Sequence, residues 1–193
     1  MSEGYRPEYR NALELIGRAC AAMERQGHSL PVLVGGAVVE WYSTGAYMSG
    51  DFDLHVLAPE PFTDALLALG FRAEDRPGRL LRGFYHPDFD LGVEFISGRL
   101  LDGYAERARV RIIDIADGSF VPMLPPEDII ADRMGQYSAN PRHGQDLLAQ
   151  ARMVFFLLAP QVDRDYLEKR LRHETAGEIG MAEFERLIAD DPC

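Results

Sequence analysis

Lysine is nearly absent from this chain. Lys169 is the only one, so almost all of the 20 basic residues are arginine, set against 31 acidic residues for a net charge of −11. Such a balance excludes an extensive nucleic-acid surface, which needs clustered cations to neutralise phosphates; a local basic groove remains compatible with it. Cysteine is scarce too. Cys20 and Cys193 do not make a disulfide framework, and the expected setting is a reducing cytoplasm. No apolar run approaches the roughly 20 residues that span a bilayer. The start Met-Ser-Glu-Gly-Tyr has no basic stretch followed by an apolar core, so no signal peptide is expected. Internal repeats, low-complexity tracts and long linkers are missing as well. At 193 residues the chain suits one domain, or one domain with a helical appendage.

The periodicities that are present alternate between helix and strand. Leu13, Ile16, Cys20 and Met23 recur at helical spacing and predict an amphipathic helix over 7–26, closed by Gly27. Cys20 then reads as a small buried hydrophobe. A short buried strand is expected over 29–34, a helix over 36–42 directly after a double glycine, a strand over 51–57 and a helix over 61–69. Strands over 79–85 and 90–96 flank a His86-Pro87-Asp88 turn. Another over 107–115 leads through an Asp117-Gly118 turn signal into 119–123. Helices follow near 126–138, 143–158, 163–174 and 181–190. The fold class is therefore α+β: a mixed sheet with helices packed on it over 1–124, then a helical part over 125–193.

The chemistry is concentrated in Ser49-Gly50-Asp51-Phe52-Asp53-Leu54-His55. In a strand, residues i and i+2 share a face, so Asp51 and Asp53 stand side by side with Phe52 and Leu54 behind them. Paired carboxylates repel unless a cation sits between them, and Mg²⁺ favours one or two carboxylates together with phosphate oxygens. Upstream, Gly35-Gly36 opens a helix, where backbone N–H groups can approach a phosphate. Phosphoryl or nucleotidyl transfer also calls for a further acid. Glu94, inside the otherwise apolar run Leu91-Gly92-Val93-Glu94-Phe95-Ile96, is the first candidate, because an unpaired charge there is costly. Asp88 and Asp90 are rivals, since strand register is open at this stage.

Gly35-Gly36, a spacer with a short helix, Asp51-Phe52-Asp53 and an acid on a later strand together resemble the nucleotidyltransferase superfamily of the DNA polymerase beta type. Within it the chain is most similar to small bacterial members with a compact helical C-terminal part. Pro125-Pro126-Glu127-Asp128-Ile129-Ile130 resembles a second family feature, a helix carrying a basic residue, here Arg133. Asp146 matches an acid on the helix after it. The resemblance spans residues 30–150. It implies an enzyme that moves an NMP from an NTP to an acceptor: a small molecule, a protein or a tRNA end. A toxin with an antitoxin partner protein is another implied setting. By the same resemblance Asp51, Asp53 and Glu94 would be catalytic and hold Mg²⁺, in a two-metal site. Gly35, Gly36, Ser49, Arg133 and Asp146 would bind the nucleotide. Two departures, a spacer of fourteen residues between Gly36 and Asp51 and Arg133 where many relatives have Lys, are equally compatible with a catalytically degenerate module that binds a nucleotide or a protein.

Plainer readings stand beside these. Asp51 and Asp53 could be turn and strand-start residues. Glu94 could face outward on an edge strand or pair with Arg82 or Arg111. Arg133 and Asp146 could form an inter-helix ion pair. His55 shares the face of Asp53 and reads as a partly buried structural histidine. The other histidines lack metal-ligand spacing, and Trp41 and Tyr42 read as core residues. The stretch from Glu183 to Asp191 reads as a solvated helix face.

Overall fold

A computed structural model describes residues 4–74, 83–96, 98–116 and 118–190. Readings that fell on 79–82, Arg82, Asp117, Asp191 and Cys193 lie outside the described residues. The chain divides into two compact units. The first comprises residues 1–99 and 110–124, the second 100–109 and 125–193.

The first unit opens with helix α1 (Pro7–Arg25). Pro7 sits where a missing N–H costs nothing, and Glu8 in the first turn suits the helix dipole. Tyr9, Leu13, Ile16, Cys20 and Met23 form its buried stripe. The chain then passes through β1 (Val32–Val34), α2 (Gly35–Tyr42), β2 (Asp51–His55), α3 (Pro59–Ala68), β3 (Arg72–Ala73), β4 (Gly83–His86), β5 (Phe89–Ile96), β6 (Arg111–Ala116) and β7 (Ser119–Met123). Among the described residues these strands form one mixed sheet in the order β3-β4-β5-β2-β1-β7-β6. β2 runs parallel to β5, and β1 parallel to β7; the other pairings are antiparallel.

One face of the sheet is the core. Phe52, Leu54, Leu91, Val93 and Phe95 are buried along β2 and β5. Phe52 stacks on Tyr9 of α1 at 5.2 Å, and Phe95 meets Phe62 of α3 at 5.5 Å. The intervening residues of the same strands, Asp51, Asp53, Gly92 and Glu94, are only partly buried. The pleat alone thus sorts apolar residues from acids. Cys20 is fully buried in α1, and burial pushes its thiol well above the ordinary range.

Two differences from the sequence reading have physical causes. The strand expected over 107–115 begins only at Arg111; Arg107–Arg109 is a short 3₁₀ turn. Within the second unit Arg109 donates to Asp163 and Lys169 donates to Glu106, and these ion pairs hold 100–109 with the helices. β3 was not foreseen, because two exposed residues carry no alternation.

The second unit contains α4 (Pro126–Ala139), α5 (Gln145–Leu158), α6 (Arg164–Glu174) and α7 (Met181–Asp190). Its interior is partly polar. Asp128, on α4, accepts from Arg170 Nε at 2.6 Å and from the Tyr166 hydroxyl at 3.1 Å, all three side chains being buried. Glu127 accepts from the backbone N–H of Asp163 at 2.7 Å, and Asp163 caps α6 through the N–H of Tyr166. Among the described residues no helix is long and apolar enough to cross a membrane.

Candidate metal centre

Gly35 sits at φ +69, a left-handed conformation that glycine adopts without penalty. It turns the chain from β1 straight into α2 and brings the backbone against Asp53: a Cβ at position 35 would lie 2.5 Å from Asp53 Oδ2. A Cβ at Gly36 would lie 2.8 Å from Ser49 Oγ. Both glycines therefore leave room that a side chain would fill, next to Asp53 and Ser49, two residues expected at the site.

The acids converge. The parallel register sets Asp53 opposite Glu94 and Asp51 opposite Gly92. Asp51, Asp53 and Glu94 each offer a carboxylate oxygen, and the three oxygens lie within 4.8 Å of one another. Three hard oxygen donors at that separation, each partly buried, are a donor set that fits a divalent cation. Gly35 puts no side chain between the start of α2 and Asp53. Alongside, a shallow cavity of about 690 Å³ runs from Asp51 and Glu94 along the β4–β5 hairpin. Asp88 and Asp90 line that cavity but, among the described residues, are not part of the three-carboxylate group. Asp88 lies in the hairpin turn near His86, and Asp90 is exposed.

Several of the plainer readings are settled by position. β5 is flanked by β4 and β2, so Glu94 is not on an edge strand. Arg111 lies on β6 at the opposite edge of the sheet, its guanidinium over the Tyr42 ring. His55 is buried, and its Nε2 lies 2.9 Å from the carbonyl oxygen of Gly98, so it acts as a structural residue that donates from Nε2. Tyr42 is buried and donates its hydroxyl to Leu124 O at 2.8 Å. Trp41 stacks on Tyr5 at 5.2 Å.

Arg133 and Asp146 belong to the second unit. Arg133 is almost fully buried and donates to its neighbour Asp132 from Nε at 3.0 Å and from Nη2 at 2.6 Å. Asp146 is exposed in the first turn of α5. The ion pair of Arg133 is thus with Asp132 rather than across to Asp146. Glu127 and Asp128, in the motif that drew attention to this helix, serve as its anchors to α6.

Sequence reasoning missed Glu40. It is fully buried in α2, holds Arg6 through both carboxylate oxygens at 3.0 Å, and accepts from the N–H of Ser49 at 2.7 Å. Its signal was the one that exposed Glu94, a lone charge inside an apolar run, here Ala37-Val38-Val39-Glu40-Trp41.

A crystal structure of an antigenic nucleotidyltransferase-like protein from Paracoccidioides brasiliensis superposes on 96% of this chain and 94% of its own, with a TM-score of 0.60 and 13% sequence identity. This chain has a nucleotidyltransferase-like fold. Two Helicobacter pylori structures align more loosely, each with a TM-score of 0.45: the protein JHP933, at 11% identity over 96% of this chain and 92% of its own, and a nucleotidyltransferase candidate, at 12% identity over the whole of both chains. No protein-family model matches the sequence, and neither does any curated protein. Within this nucleotidyltransferase-like fold, Asp51, Asp53 and Glu94 are, among the described residues, the group that could hold a metal ion.

Proposed function

We propose that the protein is a Mg²⁺-dependent nucleotidyltransferase that moves an NMP from an NTP to an acceptor. The observation that supports this most is the meeting of Asp51, Asp53 and Glu94 within 4.8 Å, beside a glycine-opened helix, in a nucleotidyltransferase-like fold. The carboxylates would hold the metal. When bound, such an ion supplies positive charge to triphosphate oxygens and makes an attacking oxygen easier to deprotonate. The chain's own contribution is positional. Gly35 and Gly36 keep side chains away from the amino end of α2, where backbone N–H groups suit a phosphate. β2 and β5 fix the acids in register, so little reorganisation is needed when the nucleotide arrives. Glu94 is the acid we assign to accept a proton from the acceptor group. The net charge of −11 favours a cationic small molecule or a protein over RNA as that acceptor.

The test is to incubate the protein with each NTP and Mg²⁺ and measure pyrophosphate release, alongside Asp51→Asn/Asp53→Asn. Release that disappears in the double variant supports transfer. Nucleotide binding with no release under any acceptor would replace this reading with a binding module. The absence of both would remove the nucleotide from the account altogether.

A further inference from the structure

We infer that Arg6 and Glu40 are positioning residues for the carboxylate cluster and act through Ser49; this rests on reading that cluster as a metal-holding site. The Arg6–Glu40 pair grips Ser49 by both of its backbone polar groups. The Ser49 N–H donates to Glu40 Oε2 at 2.7 Å, and Arg6 Nη2 donates to the Ser49 carbonyl. Ser49 Oγ in turn donates to the carbonyl of Asp51 at 2.8 Å. A single residue therefore links the Arg6–Glu40 pair to the main chain of Asp51, the first carboxylate of the cluster.

Stability alone gives such a pair little reason to exist: Glu40 is fully buried and loses its hydration, while Arg6 stays 27% exposed to water that weakens their attraction. Its reach into the loop gives a reason. The fourteen-residue spacer between Gly36 and Asp51 ends in a loop that turns through Thr44 at φ +54 and Gly45 at φ +84. Held only at its ends, such a loop would let Asp51 drift. The segment 4–9 secures both α2, which leads into this loop, and the loop itself. The Tyr5 hydroxyl donates to Trp41 O at 2.9 Å, the Tyr9 hydroxyl to Ala37 O at 2.8 Å, and a Cβ on Gly45 would come 2.5 Å from Gly4 O. Ser49 is the last point of this clasp before β2.

Two variants separate positioning from mere support. Arg6→Lys keeps a cation beside Glu40 but lacks the planar fork that reaches Glu40 and Ser49 together. Arg6→Met/Glu40→Met removes the pair while retaining apolar volume. Mn²⁺ binding to the full chain is titrated by electron paramagnetic resonance, and thermal unfolding is measured on the same samples. Both variants should lose about tenfold in Mn²⁺ affinity, the lower end of what loss of a ligand-supporting partner costs, while their unfolding midpoints stay near that of the wild type. Wild-type affinity in both variants would overturn the inference, as would a loss no larger than the unfolded fraction explains. Should the double variant fail to fold, Arg6→Lys decides alone. If the wild type itself binds no Mn²⁺, the metal reading falls and takes this inference with it, an outcome distinct from failure in the variants only.

Discussion

Glu94 stands directly opposite Asp53 in the parallel register of β2 and β5. Their proximity is a property of the backbone ladder and does not depend on side-chain adjustment. Asp51, two residues earlier on the same face, joins them because the pleat repeats every second residue. Three carboxylates are thus committed to one place by pairing between strands that lie far apart in sequence.

A divalent cation should stabilise the fold through these residues. At a concentration of one hundred times its dissociation constant, Mg²⁺ or Mn²⁺ should add about 2.7 kcal/mol to unfolding, seen as a rise in the thermal midpoint. Asp53→Asn and Glu94→Gln should each abolish most of that rise. An equal rise in either variant would place the ion elsewhere.

Gly35→Ala should be severe and Gly36→Ala mild for stability. At position 35 the new Cβ meets Asp53 Oδ2 at 2.5 Å on a φ of +69, and a strained backbone of that kind costs about 1–3 kcal/mol. At position 36 the obstacle is the hydroxyl of Ser49, which can turn aside at the cost of its bond to Asp51 O. Denaturant titration gives the stability difference. Nucleotide binding, by calorimetry, should weaken in both.

The helical unit should show a pH signature from Asp128. Burial raises its carboxyl to about 6, while Arg170 and the Tyr166 hydroxyl pull in the opposite direction. A carboxyl whose folded pKa lies above its unfolded value of about 3.9 adds stability that is complete below pH 4 and lost as pH rises through 6. Relative to Asp128→Asn, which cannot titrate, the wild type should therefore lose stability between pH 4 and pH 7. Parallel stability profiles for the two proteins would refute this.

Cys20 should be inert in the folded protein. Its thiol is buried, and desolvation holds it protonated far above neutral pH. In a Cys193→Ser background, a thiol reagent should label the chain only at the rate at which it unfolds, and denaturant should expose one thiol. Fast labelling under native conditions would contradict the packing of α1.

Local pattern was enough to find β2, α1 and the four C-terminal helices, because their periodicity reports which side is wet. The same pattern placed Asp51 and Asp53 on one face. It left the third acid open among Glu94, Asp88 and Asp90, since a parallel neighbour is chosen by long-range pairing that no window of residues contains. Arg107–Arg109 was misread as strand because Asp163, more than fifty residues away, accepts from Arg109. The plainer reading paired Arg133 with Asp146, and the adjacent Asp132 takes its guanidinium instead. Ser49 entered only as a nucleotide-binding residue implied by resemblance, and no pattern in the sequence points to the contacts its main-chain atoms make with Arg6 and Glu40.

β1 is only three residues long, yet it lies between β2 and β7, and Leu33 pairs with Met123. During synthesis this short ribbon keeps one open border until the ribosome has released residue 123. Open strand borders invite wrong partners. Fragments that stop before Leu124 should therefore clump, and any attempt to trim the protein to the unit that holds Asp51, Asp53 and Glu94 will need to carry β7 along.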